Sequence, residues 1–384
     1  MAEPERRKRI LHIVEDLNMG GLERVIETIV LGLNRRRYDV EVWCLARGGA
    51  IAEELLALGV PVKILGLVSY YNPARIRELA LMLKARRFDV VHTHGYFAST
   101  FTRLALLLKR GSIVIHHIHT TDLNFKARNR RIEALLSLCT DRVICVSQAV
   151  SRFAVESLGV APQKIRIVYN TAFADASEPA VRQSGGSGLL PDVPEGDFVI
   201  VSIASLTANK GHDVLLLAMR DIVARHGAVR CVIIGEGPER NFLESRIDRL
   251  GLHDHVFLAG MQLDVLPFLR MAHTAVLSTV GREGLSVALI EAASAGLPLV
   301  GSDLGGIPEV IEHGVNGFLF KPGSPLELAS ALDRLIKDPG LRERMGKRSL
   351  AIYRNRFSRE VMIGRIEQMY DEIVQGRADA VEAR

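Results

Sequence analysis

Runs of apolar, β-branched residues alternate with helix-length amphipathic stretches along most of the chain. A strand buried on both faces reads as a continuous apolar run, so this rhythm predicts parallel sheets joined by crossover helices. In the first half the predicted strands are Arg9–Val14, Val40–Leu45, Val62–Leu65, Val90–His92, Ile113–His117, Val143–Val146 and Ile165–Val168. In the second half they are Phe198–Ile203, Arg230–Ile234, Val256–Leu258, Thr274–Leu277, Leu299–Val300 and Gly317–Phe320. Each set predicts a doubly wound sheet of its own. Between them Ala174–Asp197 is rich in Gly, Ser, Pro and Ala without periodicity, which predicts a linker. Beyond Phe320 the pattern is purely helical, through Pro325–Lys337, Leu341–Tyr353 and Ser358–Val374. The expected organisation is an α/β chain with a Rossmann-like domain at 1–173, a linker at 174–197, a second such domain at 198–355, and a last helix at 356–384 that could dock on the first domain.

Composition narrows the class. With 384 residues, 48% hydrophobic and 24% charged, the chain is too apolar for disorder and too long for one small core. Cys44, Cys139, Cys145 and Cys231 form no C-x-x-C pair and sit in or beside apolar runs, so they read as core residues. No window reaches the roughly 20 apolar residues of a membrane span, and MAEPERRKRI lacks the apolar middle of a secretory signal, so a soluble, cytoplasmic protein is expected. An aromatic content of 5% with one tryptophan argues against stacking platforms for nucleic acid. Charge is uneven: residues 1–170 carry 26 Lys and Arg against 16 Asp and Glu, net +10, and the remainder carries 23 against 28, net −5. The basic residues gather in Arg75–Arg87, Arg103–Arg110 and Lys126–Arg131 with leucines on the other faces. Such stretches suit peripheral binding to an anionic inner leaflet, at about 1 kcal/mol per cation near the surface. Solvated helix faces are the plain alternative.

Several stretches carry chemistry. After the first strand, Gly20-Gly21 opens a helical pattern, a geometry in which backbone and free N–H groups cradle a phosphate, though a tight turn needs no more. SLTANKGHD (Ser205–Asp213) delivers Lys210 at the C-terminal edge of the second sheet, where open α/β sheets place ligands and where a lysine suits a diphosphate; a solvated loop lysine is the alternative. VIIGEGPER (Val232–Arg240) holds Gly235 and Gly237, half of a dinucleotide fingerprint. In Ser278–Leu319, Glu283 follows a strand, Gly284 is expected to open a helix, and Glu291 lies eight positions on, about 10 Å along that helix and on the same face. Carboxylates there suit vicinal sugar hydroxyls; for Glu291 a favourable helix-dipole position is the other reading. Histidines cluster in VHTHGYF (Val91–Phe97) and IHHIHTTD (Ile115–Asp122). H-x-H at a strand end could pair on a metal, but no third ligand is evident from the sequence.

E-G-L-S-V-A-L-I-E, then A-x-A-G-L-P-L-V and G-G-I-P-E, resembles the E-x7-E signature of glycosyltransferase family 4, retaining enzymes with the GT-B fold: two Rossmann-like domains facing a cleft, with C-terminal helices crossing back to the first. Gly20-Gly21 with Glu23-Arg24 resembles the family's G-G-x-E-R, and S-L-T-A-N-K-G stands at its R-L-x-x-x-K-G position. The resemblance implies a nucleotide-sugar donor in the second domain, with Glu291 on the ribose, Glu283 near the transferred sugar and Lys210 on the diphosphate. Ser205, Gly235, Gly284, Leu285 and Ser286 would line the same site, with Gly20 and Gly21 approaching the diphosphate from across the cleft. His119 is the match for a histidine that contacts the donor sugar, which makes His119, Lys210 and Glu283 the catalytic candidates. His94, His117 and Asp122 are acceptor-side candidates, with core or turn roles as alternatives. The donor is a substrate, and no cofactor or metal is expected. Ser205 departs from the family's arginine, losing a charge-assisted contact of about 1.5–3 kcal/mol, which Arg282 could restore. The implied acceptor is a lipid-linked or cell-surface glycan. Rival readings are a GT-B epimerase or phosphorylase, and a non-catalytic sugar-nucleotide-binding protein.

Overall fold

The structure, a computed structural model, describes residues 6–18, 20–67, 72–107, 111–121, 127–173 and 193–382, the side chains of 127–128 and 378–382 excepted. Met19, Arg110, Asp122, Lys126 and residues 174–192 of the expected linker lie outside them. The chain divides into two compact units: Met1–Asn170 with Arg359–Arg384, and Thr171–Ser358.

The first unit holds a seven-stranded parallel sheet: β1 (Lys8–Val14), β2 (Tyr38–Cys44), β3 (Val62–Ile64), β4 (Val90–His94), β5 (Ile113–Ile118), β6 (Arg142–Cys145) and β7 (Ile165–Ile167). Its strand order is β3-β2-β1-β4-β5-β6-β7. The second unit holds a six-stranded parallel sheet: β8 (Phe198–Ile203), β9 (Val229–Ile234), β10 (Val256–Leu258), β11 (Thr274–Leu277), β12 (Leu299–Ser302) and β13 (Gly317–Phe320), in the order β10-β9-β8-β11-β12-β13. All thirteen predicted strands are present, and none differs at either end by more than two residues. The extension of β4 matters most. His92, Thr93 and His94 stay in the ladder, paired with Ile115, His116 and His117 of β5, so polar residues concealed the strand's end from an apolar-run criterion.

Both sheets reverse direction after a first strand has been joined by two neighbours, which opens a gap above the carboxyl ends of β1 and β4 in one and of β8 and β11 in the other. Helices cover each sheet on both faces. In the first unit, Leu11, Ile13, Trp43, Leu79, Val91 and Phe101 pack on one side, and Val14, Ile26, Val42, Cys44 and Leu55 on the other. In the second, Ile200, Leu215, Met219, Cys231, Val300, Phe318 and Leu332 belong to one buried cluster. The four cysteines are free, and burial pushes the thiols of Cys44, Cys145 and Cys231 up to about 12, as inert core residues require.

Helix limits follow local chemistry. Ser147 and Asp338 cap their helices by accepting from Val150 N and Leu341 N, at 3.0 and 2.8 Å. The last helix, Arg359–Glu382, runs longer than Ser358–Val374 predicted and belongs to the first unit. There Asp371 accepts from Lys8 Nζ at 2.7 Å and from Tyr38 Oη at 2.9 Å and pairs with Arg37, while Tyr370 is wholly buried.

Candidate active site

In the second unit the candidate residues converge because two loops are stitched together by their backbones. The turn Ala208–Lys210 after β8 accepts from Val280 N and Gly281 N at Asn209 O, at 2.9 and 3.0 Å, and Ser278 Oγ donates to Lys210 O at 3.2 Å. Gly211, at φ +65°, lies so close to Ser278 O that a Cβ would collide with it. This stitching sets Lys210 Nζ 2.7 Å from Glu283 Oε2, both largely shielded from solvent. Thr279 Oγ1 lies 3.5 Å from the same oxygen. The lysine at the switch point of this parallel sheet is thus held by one carboxylate.

Glu283 lies in a loop as expected, but Gly284 does not open the helix. The helix is Val287–Ser294, capped by Ser286, whose side chain accepts from Leu289 N at 3.2 Å. Residues 283–284 stay outside it because Gly306 N donates to Glu283 O at 3.2 Å and Gly305-Gly306 press on the Glu283 and Gly284 carbonyls, where any Cβ would clash. The G-G-I-P-E stretch is thus the clamp that shapes the Glu283 loop. The helical rise of about 10 Å inferred between Glu283 and Glu291 therefore does not apply. Glu291 is on the helix and buried, Leu285 is buried, and Gly284 is buried within the clamped loop.

Ser205 is exposed, its hydroxyl 3.3 Å from Thr207 Oγ1, while its carbonyl meets His212 Nε2 at 3.1 Å. Arg282 is exposed. Gly235, at φ +146°, and Gly237 have a packing role that the fingerprint reading overlooked: a Cβ on either would strike the backbone at Ala204 or Leu206.

In the first unit, Gly20 precedes the helix Gly21–Gly32, as predicted, and offers no side-chain cap. Glu23 folds back so that a Cβ on Gly20 would meet its carboxylate, and burial first, then Asp16, raises the Glu23 pKa against the opposing pull of its own backbone N–H. Around Gly21 there is open space. The Glu23 carboxylate thus already lies at this helix start, bonded to its own backbone N–H.

Histidine placement is the largest departure from expectation. Parallel register sets His12 beside His92 and His94 beside His117, and the period of two keeps 92 with 94 and 117 with 119 on one face. His12 Nδ1 lies 2.9 Å from His94 Nε2, and His94 Nδ1 lies 3.3 Å from His119 Nε2. Tyr370 Oη, from the last helix, reaches His92 Nδ1 at 2.7 Å and His12 Nε2 at 3.5 Å. Burial holds His12 and His119 down at about 3 and the other three well below the ordinary value, so all five are neutral imidazoles. A third histidine, not evident in the sequence, stands near each H-x-H pair: His12–His92–His94 and His94–His117–His119 each bring three ring nitrogens within 4.8 Å. Sequence reasoning missed His12 and Tyr370. A histidine inside the apolar strand Lys8–Val14 was the available signal; for Tyr370 there was none, since only the docked helix brings it near.

The basic stretches also change meaning. Arg103 is buried in a bidentate pair with Glu133, both bonds 2.7 Å, and Arg86 is bidentate to Glu41 at 2.8 and 2.6 Å. Arg75 pairs with Glu78 at 2.8 Å. These three cations meet carboxylates, Arg75 on the surface, while Arg77, Lys84, Arg87, Arg130 and Arg131 of the same stretches are exposed.

Against known proteins, the model for glycosyl transferases group 1 matches residues 191–351, and that for glycosyltransferase family 4 matches residues 19–172. The chain belongs to the family 4 glycosyltransferases. This glycosyltransferase is 28% identical to an uncharacterised glycosyltransferase of Methanocaldococcus jannaschii, over 85% of the chain and 87% of that protein. It is 23% identical to the UDP-Gal:alpha-D-GlcNAc-diphosphoundecaprenol alpha-1,3-galactosyltransferase of Escherichia coli, over 97% and 99%. The structure of HepE from Anabaena in complex with UDP-glucose superposes with a TM-score of 0.80 at 21% identity, covering 95% of the chain and 99% of HepE. The two Rossmann-like sheets with C-terminal helices are the GT-B fold of this family. Among the described residues no helix is long and apolar enough to cross a membrane.

Proposed function

We propose that this glycosyltransferase moves a sugar from a nucleoside diphosphate donor to a hydroxyl acceptor with retention at the anomeric carbon. The observation that carries the reading is the Lys210–Glu283 pair, 2.7 Å apart at the switch point of the second sheet. In this reading the donor diphosphate takes over the Lys210 ammonium, and Glu283, released, faces the transferred sugar. Glu291 holds the ribose, with Gly235, Gly284, Leu285, Ser286 and Ser205 around the donor. By the family resemblance, Gly20, Gly21 and His119 of the first unit are the remaining donor-contact candidates. HepE, crystallised with UDP-glucose, supports a nucleotide-sugar donor.

The acceptor hydroxyl attacks the anomeric carbon from the side of the leaving group. The bond from that carbon to the phosphate oxygen breaks, its electron pair goes to the β-phosphate, and the hydroxyl proton passes to the same oxygen. Lys210 and nearby backbone N–H groups stabilise the charge that develops on the departing diphosphate, work that a side-chain nucleophile or a metal is not needed to do. Conversion of a nucleotide sugar only when an acceptor is added, with the product's anomeric configuration matching the donor's by NMR, tests the reading; conversion of the donor without acceptor would overturn it in favour of an epimerase.

The acceptor we propose is a lipid-linked or cell-surface glycan, as the diphosphoundecaprenol-linked substrate in the Escherichia coli relative's name suggests. Helix Ala127–Leu138 supplies a fitting surface, since Arg131, Leu135 and Leu138 are exposed at i, i+4 and i+7 beside exposed Arg130. Co-sedimentation with anionic vesicles that is weakened by Leu135→Ser with Leu138→Ser supports peripheral binding; absence of binding at low salt removes it.

A further inference from the structure

We propose that His94, His117 and His119 form a binding site for a divalent first-row transition metal of the zinc type, at the carboxyl ends of β4 and β5. Three observations converge. First, one ring nitrogen from each residue lies within 4.8 Å of the others, and the 3.3 Å between His94 Nδ1 and His119 Nε2 is long for a hydrogen bond. It matches the edge of a tetrahedron: two nitrogens each 2.0–2.1 Å from zinc stand about 3.3–3.4 Å apart. Second, His117 is buried with both ring nitrogens lacking any partner, and His119 Nδ1 lacks one too. Buried polar atoms in that state call for a partner. Third, the supporting bonds of a metal-bound histidine are already present. His94 Nε2 bonds to His12 Nδ1 at 2.9 Å, and His12 Nε2 faces Tyr370 Oη at 3.5 Å, which orients the His94 ring and leaves its Nδ1 toward the other two.

The ligand set selects the ion. Three imidazoles with no carboxylate among them suit zinc, copper or nickel and not magnesium or calcium, which require oxygen. His117 and His119 stack with ring centroids 4.0 Å apart, so ligation turns one ring about its χ2 angle, and the fourth position stays open to water. Occupancy pins the ends of two adjacent strands. By the reading of the active site above, it also withdraws His119 from the donor sugar, so the ion would act as an inhibitor.

Titration of the metal-free full-length protein with zinc, read by competition with a chromophoric chelator, tests the site without relying on activity. Expected is one ion per chain at micromolar or tighter affinity. His12→Ala, which removes the bond supporting His94 and leaves all three ligands in place, should weaken binding about 10–100-fold, and His117→Ala by more. Because a core variant can misfold, cobalt added to the wild-type chain gives an independent readout: the intense visible d–d bands of a tetrahedral nitrogen site are expected. Failure to bind zinc, equal affinity in wild type and His117→Ala, or only the weak bands of octahedral aqueous cobalt would each overturn the proposal. Zinc bound without inhibition of transfer would keep the ion site and remove His119 from the donor contact.

Discussion

The two units share a parallel, doubly wound topology yet differ in what lies beneath their switch points. In the second unit the buried polar residues of the strands are the small Ser202, Thr274 and Ser302, no histidine or carboxylate among the described residues lies on a strand, and Lys210 and Glu283 meet in loops above the sheet. In the first, polarity runs into the sheet: five imidazoles line one face, and on the other His116 lies 3.8 Å from Glu133, which is already paired with Arg103. Topology thus chooses where a site can form, and strand composition chooses whether that site reaches into the core. The cost differs as well, because buried ionisable groups must be neutralised or paired, whereas loop charges remain in partial contact with water.

The largest effect that would break this comparison is expected from Arg103→Ala, which leaves Glu133 buried without its cation. A loss of about 3–5 kcal/mol is expected in the first unit. The chain's one tryptophan, Trp43, is buried in that unit, so denaturant unfolding followed by its fluorescence reports the first unit. An unchanged midpoint would show that the pair is not needed.

Next comes Lys210→Ala. It should lower kcat about 100- to 1000-fold, the scale of removing one charge-stabilising donor, with denaturant unfolding followed by far-UV circular dichroism, which includes the second unit, unchanged. A drop in stability matching the drop in rate would recast Lys210 as a structural residue.

Acid should separate the units next. The buried histidines have folded-state values below that of the unfolded chain, so the unfolded state binds protons first. Their contribution to stability is complete above about pH 6.5 and falls as pH drops toward the value of about 3 at His12 and His119. His12 and His119 each contribute a slope of order 1 kcal/mol per pH unit in that window. In metal-free protein, Trp43 emission should shift at higher pH than circular dichroism changes assignable to the second unit, where burial lowers His212 and His273 but encloses them less completely. The reverse order would contradict the contrast drawn above.

The smallest effect is the sharpest. Gly21 begins a helix with open space around it, so Gly21→Ala should leave stability unchanged or raise it by about 0.5–1 kcal/mol. If its backbone approaches the donor diphosphate, the same change should raise KM for the nucleotide sugar, and an unaltered KM would withdraw Gly21 from the donor.

Much of this was legible in the sequence. Apolar runs located every strand, because strands of a helix-covered parallel sheet are mostly apolar, though the polar end of β4 escaped that criterion, and E-x7-E with the trailing G-G-I-P-E pointed to Glu283 and Glu291. What escaped was decided between distant segments. The helix start moved from Gly284 to Val287 because residues 305–306 hold the Glu283 loop open. Arg103 read as a surface cation until Glu133, thirty residues on, was seen to fold against it.

The sequence by itself determined two α/β halves, the order of their strands along the chain and the loops that carry Lys210 and Glu283, since periodicity and glycine placement are local properties. Only the tertiary structure decided which polar residues became neighbours. Parallel register stacked His12, His92, His94, His117 and His119 on one face, and the docked last helix brought Tyr370 to them from more than 250 residues away. Interactions between buried groups depend on distances in space, and a chain fixes those distances only after its sheet has closed.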